Sequence, residues 1–242
     1  MNIRWRRWLL VSCVLFTVLL VVPALAASDL IEDRVVVDRQ DAKTVDIEII
    51  MGAGDLTIDG GAYDLLEAEF IYNREDWKPE VDYWVSNKRG RLSVNQPSDT
   101  NWNSIFNLGN TYYEWNLRLQ ETMPMQLEVK LGAGEANLHL GDLLLSRLDV
   151  KLGVGDVTID LTGEWEDDLQ AYIKGGVGQA VLKLPDDVGV RVYVKKGIGS
   201  VSVIGMKKND GYYTNQLYGK AKVNLEIEVI AGIGEVQIEV VD

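Results

Sequence analysis

The sequence predicts an all-β protein, a solenoid-like or sandwich-like stack of short strands turned at Gly-x-Gly corners. Three observations carry this reading. One pattern recurs six times, apolar residues alternate with period two on both sides of its glycines, and nothing after residue 26 sustains a helical period for three turns.

The copies are VDIEIIMGAGDLTID (45–59), LEVKLGAGEANLHL (127–140), LDVKLGVGDVTIDL (148–161), AYIKGGVGQAVLKL (171–184), VYVKKGIGSVSVIG (192–205) and IEVIAGIGEVQIEV (227–240). Their corner glycines are Gly52 and Gly54, Gly132 and Gly134, Gly153 and Gly155, Gly176 and Gly178, Gly197 and Gly199, and Gly232 and Gly234. Successive first glycines lie 80, 21, 23, 21 and 35 residues apart, so the unit is about 21 residues. The gap of 35 holds one insertion, Lys207 to Lys220; the gap of 80 has room for three to four units but no intact Gly-x-Gly.

Side chains alternate faces along a strand, so each arm has one core face. Before the corner that face carries Val45, Ile47 and Ile49 in the first copy, and Leu148, Val150 and Leu152 in the third. After the corner it carries Leu56 and Ile58, then Val157, Ile159 and Leu161. Intervening residues such as Asp46, Glu48, Glu128, Lys130, Asp149 and Lys151 are charged and belong to solvent. The middle residue of every corner is apolar: Ala53, Ala133, Val154, Val177, Ile198 and Ile233. This predicts a bend that keeps that side chain inside. Gly175 and Lys196 stand where other copies have Met51, Leu131 or Leu152, so those coils are expected to be pinched or open beside the corner. Each coil is expected to pair with the next along the chain.

Residues 60–122 differ. They read as a strand over 65–72, a hairpin of 81–85 with 92–95, and a strand over 112–119, and they hold 11 of the 17 aromatics beyond residue 26. The segment is inserted or capping: it closes the stack with a bulky core, or displays aromatics to a partner. Trp77 and Trp102 lie in polar stretches without a local strand to pack on. They are therefore read as exposed candidate binding residues, able to stack on a sugar face or anchor a protein.

Residues 1–26 read as a signal peptide, with three arginines before the apolar run from Leu9 to Val22, then Pro23 and Ala24-Leu25-Ala26. The alternative is an uncleaved anchor. Residues 27–242 read as a single repeat-built β domain outside the cytoplasm, secreted or associated with the cell surface. The formal net charge is −13, and −16 once the three leader arginines are removed. So acidic a body repels phosphate backbones, which excludes nucleic acid as a partner. The lone cysteine, Cys13, lies in the leader, and the lone histidine is His139. Disulfides, thiol catalysis, Cys/His zinc sites and Ser-His-Asp chemistry are excluded for the body.

The remaining motifs take structural readings. A dinucleotide fingerprint needs a third glycine opening a helix; Thr57, Asn137, Thr158, Val181, Ser202 and Gln237 stand there instead, each within a strand. The acid after the corner is interrupted by Gln179 and Ser200 and repeats at the wrong period for a calcium β-roll. Asp167-Asp168 and Asp186-Asp187 read as turns, and His139 as an outward strand residue. No catalytic residue, metal ligand or cofactor is expected.

LEVKLGAGEANLHLGDLLLSRLDVKLGVGDVTIDL, the earlier IIMGAGDLTIDGGAYDLLEAEFIYN and WKPEVDYWVSNKRGRLSVNQP together resemble the bacterial toast-rack family. More loosely the chain is similar to adhesin-type extracytoplasmic β domains and to the C-terminal domain of cell-envelope stress-response proteins. The resemblance implies a stacked β architecture exposed on the envelope, with no catalytic motif to carry over. The expected function is a non-enzymatic structural or adhesive surface module. Two alternatives are a carbohydrate-active or carbohydrate-binding protein and a tethered accessory of an envelope stress-sensing system. The second is weakened because related regulators carry several membrane helices and this chain at most one. The partner is left open between a cell-wall glycan and another envelope protein, with membrane contact only through an uncleaved leader.

Overall fold

The computed structural model describes residues 30–97 and 111–241. The leader and Trp102 lie outside the described residues. Among the described residues thirteen strands join one hydrogen-bonded network: β1 (Ile31–Val37), β2 (Thr44–Asp59), β3 (Leu66–Tyr72), β4 (Glu80–Ser86), β5 (Arg89–Asn95), β6 (Tyr113–Leu119), β7 (Met125–His139), β8 (Leu145–Asp160), β9 (Leu169–Pro185), β10 (Gly189–Ile204), β11 (Lys207–Asn209), β12 (Tyr212–Thr214) and β13 (Asn224–Val241).

Each long strand contains one Gly-x-Gly and is bent there. The chain length requires this. β7 and β8 run parallel in register from Met125 beside Leu145 to His139 beside Asp160, yet only residues 140–144 return the chain from the end of one to the start of the next. Five residues span at most roughly 18 Å, whereas a straight strand of fifteen would be roughly 50 Å long. The two arms must therefore fold toward each other, giving a first-arm layer, a second-arm layer and one core between them. The inward sets expected from the sequence, including Ile47, Ile49, Leu56, Ile58, Leu148, Val150, Val157 and Ile159, are all buried there.

The stack order is β2, β7, β8, β9, β13, β10, so the last copy in the chain lies between the fourth and fifth. This corrects the expectation that each coil pairs with the next. Leu225, Ile227, Val229, Val236 and Ile238 of β13 are buried on both arms, whereas β10 carries Lys195 and Lys196 and only half-buries Val201 and Val203. A strand with two lysines beside its corner suits an edge. The inserted segment lets the chain cross over, and β12 pairs with Arg191–Tyr193 to cover part of that edge.

At the other end the gap of 80 hides a seventh coil. β5 pairs with the first arm of β2 and β6 with its second arm, both parallel and opposite β7. β5 ends at Asn95 and β6 begins at Tyr113. The Gln96 side chain reaches the corner of β2, its Oε1 accepting hydrogen bonds from the backbone N–H of Gly52 (2.6 Å) and Ala53 (3.2 Å). β4 extends the first-arm layer, and β3 and β1 extend the second. The β4–β5 hairpin turns through Asn87 and Lys88, both at positive φ (51° and 64°) as a type I′ turn needs. Phe70, Tyr72, Trp77, Tyr113 and Trp115 are buried at this end, in edge-to-face pairs with centroids 5.2–6.3 Å apart.

The corners need both glycines, for different reasons. A Cβ on Gly153 would lie 2.3 Å from the Gly132 carbonyl oxygen of the neighbouring coil, so the first glycine permits close stacking. Gly155 has φ +132°, and its Cβ would lie 1.8 Å from the Gly134 oxygen. The middle side chains are not inside, contrary to expectation: Val154, Val177, Ile198 and Ile233 are exposed. A strand turning back with its flanking residues facing the core leaves its apex no direction but outward.

Candidate functional site

The outward positions of the first arms fall into three ladders, because the coils stack in register. Six residues before the first glycine the ladder runs Asp46, Gln126, Arg147, Gln170, Glu226, Arg191 across the stack, continued on the β4 side by Arg91 and Trp84. Four before, it runs Glu48, Glu128, Asp149, Tyr172, Glu228, Tyr193 and, on β12, Tyr212. Two before, it runs Ile50, Lys130, Lys151, Lys174, Ile230, Lys195.

Two adjoining grooves cross this face. One, of about 420 Å³, is lined by Arg147, Asp149, Tyr172, Arg191, Tyr193, Tyr212, Glu226 and Glu228 among others. The second, of about 390 Å³, contains Asp46, Glu48, Trp84, Arg91 and Glu128, and shares Arg147 and Asp149 with the first.

The polar groups in these grooves are held by one another. Arg191 lies over the rings of Tyr212 (5.1 Å) and Tyr218 (4.9 Å) and ion-pairs with Glu226 at 2.8 Å. Tyr218 donates its hydroxyl to the same Glu226 oxygen at 2.8 Å. Burial and that bond push the Tyr218 hydroxyl up from its ordinary value. Tyr193 and Tyr212 pack with centroids 5.4 Å apart. Arg147 Nε donates to Asp149 at 2.6 Å. Lys151 and Lys130 both reach Glu128, at 2.7 and 3.1 Å, and Lys130 also reaches Glu48 at 2.7 Å. The Lys151 bond first, then Lys130, holds the Glu128 carboxyl below its ordinary value. Exposed ion pairs of this kind add little stability singly. Together they hold aromatic planes and hydrogen-bonding groups in fixed places.

Such a face offers rings, donors and acceptors to a bound partner. Asp149 and Glu226 are each held by an arginine, Arg147 and Arg191. Asp55 is a carboxyl pushed upward, by burial first and then by Glu135 and Glu114, but it lies on the second-arm layer, remote from the grooves. Among the described residues no three His, Cys, Asp or Glu are grouped to hold a metal ion.

Trp77 is not on this face and not exposed. It is 4% accessible, its ring against Tyr113 and beneath Arg74 (5.3 Å), and Tyr113 donates a hydrogen bond to its carbonyl at 2.7 Å. The polar neighbours that suggested exposure belong to a 3₁₀ turn, Glu75–Trp77, which swings the indole inward. Trp102 lies outside the described residues. His139 is outward as expected, bonded through Nδ1 to Asp59 at 2.6 Å. Asp168 caps a turn by accepting the Asn224 N–H at 2.8 Å. Sequence reasoning missed Tyr172, Tyr193, Tyr212 and Arg191. The signal was there for the first two, since both stand four residues before a first glycine, in outward phase.

Residues 26–183 match the family described as the N-terminal domain of toast_rack, DUF2154. Among solved structures the chain is similar to a protein from Clostridium sporogenes ATCC 15579, provisionally assigned to cell adhesion. The two share 32% identity with a TM-score of 0.82, over 88% of this chain and 100% of that one. A protein from Bacteroides fragilis NCTC 9343, provisionally named an adhesin, matches at 11% identity with a TM-score of 0.35, over 89% of this chain and 98% of that one. At that TM-score the second likeness carries no argument. No curated protein matches.

Proposed function

The chain belongs to the toast-rack family, and from that premise we propose that it is an exported, non-enzymatic surface module of the bacterial cell envelope, adhesive through the outer face of its first-arm layer. The observation that carries this reading is the tyrosine-lined groove around Arg191. Tyrosine rings offer flat apolar surface with a polar tip, and the ladders beside them offer both donors and acceptors. A hydroxyl-rich chain matches both, so the ligand class is a cell-wall glycan. The provisional assignment of the Clostridium protein to cell adhesion supports a surface role of the same kind.

The test is calorimetric titration of the protein with soluble cell-wall glycan fragments, run beside an assay for new reducing ends. The expected result is saturable binding with no release of reducing ends. Release at an enzymatic rate would overturn the non-enzymatic reading, and absence of binding to every glycan fraction would overturn the ligand class.

A further inference from the structure

The apexes of the corners form a second surface, on the edge between the two layers. In stack order they are Ala53, Ala133, Val154, Val177, Ile233 and Ile198, adjacent in register from strand to strand. At about 4.8 Å per strand they make a ridge roughly 24 Å long. Its four larger members are 55%, 45%, 51% and 74% accessible in that order. Isolated exposed apolar residues need no explanation, but a contiguous row of them does.

The flanks of the ridge carry opposite charges. On the first-arm side run Lys130, Lys151, Lys174 and Lys195. On the second-arm side, two residues past each apex, run Asp55, Glu135, Asp156, Gln179, Glu235 and Ser200, acidic at four of the six levels. Lys174 and Lys195 make no ion pair among the described residues.

We propose that this ridge is a homodimer interface, occupied by the same ridge of a second copy of the chain. An isologous contact requires a surface complementary to itself. Two copies facing each other along their ridges can be related by a two-fold axis parallel to the stack or by one across it. The axis across the stack sets lysine row against lysine row and acid against acid, which is repulsive. The parallel axis sets each lysine row against the partner's acid-bearing row, with Lys130 and Lys151 level with Glu135 and Asp156, and Lys174 and Lys195 level with Gln179 and Ser200. Lys174 then lies between the levels of Asp156 and Glu235 of the second copy, and Lys195 lies one strand from Glu235. Charge therefore selects one geometry. It puts both β1 strands at the same end and turns the two first-arm faces to opposite sides, so the dimer presents two grooves. The inference stands independently of what those grooves bind.

The ridge is narrow beside the roughly 800 Å² per partner of a standard interface, and its ionic flanks are open to solvent. Association should accordingly be weak and should fall as salt is raised. Sedimentation velocity over a micromolar to millimolar concentration series at low salt is expected to show a monomer–dimer equilibrium. Val177→Ser with Ile233→Ser should weaken it at least tenfold, and so should Lys174→Glu alone. These side chains are exposed, so an unchanged urea midpoint separates lost association from lost folding. Mixing the Lys174→Glu protein with Glu235→Lys protein should restore association that neither shows alone. A protein monomeric throughout the series, or a dimer indifferent to these variants, would overturn the proposal.

Discussion

Two glycines only twenty residues apart in sequence, Gly155 and Gly175, should respond to alanine with opposite signs. At Gly155 the backbone is at φ +132°, a conformation costing an L-residue about 1–2 kcal/mol. The new Cβ would also sit 1.8 Å from the Gly134 oxygen and 2.9 Å from its carbon. Those atoms are backbone of the neighbouring coil and have no rotamer to change, so two coils must separate locally, an overpacking cost of about 1–3 kcal/mol. Gly155→Ala should therefore destabilise by about 2–5 kcal/mol. At Gly175 a Cβ meets nothing within 4 Å and φ is not positive. Restricting the unfolded chain should there stabilise by about 0.4–1 kcal/mol, the methyl entering the open notch lined by Ile173 and Val229 without a clash. Urea unfolding followed by circular dichroism reads both. With a slope of about 2–3 kcal/mol/M, the Gly155→Ala midpoint should fall by about 0.7–2.5 M, while that of Gly175→Ala holds or rises. Equal midpoints for the two variants would refute the account of why glycine recurs at the corners.

Trp77→Ala should cost about 3–5 kcal/mol, because the indole is core to the aromatic end of the stack; a midpoint within error of wild type would mean the indole is not buried in solution. Asp55→Asn should raise the melting temperature at pH 7. The folded carboxyl titrates above its ordinary value, so the stability linked to its protonated form is present below that value and lost as pH rises through the folded one. The gain should therefore vanish in acid, below the ordinary carboxylate range, and a gain that is the same at both pH values would remove the linkage explanation. Gln96→Ala should make the amides of Gly52 and Ala53 exchange faster, since the glutamine oxygen is their acceptor; unchanged exchange at both would count against those hydrogen bonds holding the first corner.

Much of the fold was legible because a strand's period of two is rigid. Once the glycines are aligned, the inward residues of every arm are determined, and so are strands close to β3, β4, β5 and β6. Three things were not. The position of β13 between β9 and β10 depends on which strand makes the better edge, a comparison of Val201 and Val203 with Val236 and Ile238 that no local pattern encodes. The seventh coil lacked its glycines, so alignment on them could not find it. The apex side chains looked inward because they are apolar, yet geometry at a fold-back outranks hydrophobicity. The candidate face was hidden because charged outward positions ordinarily mean a solvated surface. Aligned by distance from the first glycine, Tyr172 and Tyr193 already share a ladder with Asp149 and Glu128.

The proposed binding role of the first-arm face is tested most directly by co-sedimentation of the protein with purified insoluble cell-wall material, comparing wild type with the double variant Tyr172→Ala, Tyr193→Ala. Both rings lie on the outward ladder of that face, so the urea midpoint should move little, by about 0.5 kcal/mol per site in free-energy terms. Apparent affinity should fall at least tenfold, about 1.4 kcal/mol. Thr57→Ala with Thr158→Ala, on the outer face of the second-arm layer, should leave it unchanged. Affinity untouched by loss of the tyrosines, or lowered as much by loss of the threonines, would contradict the account.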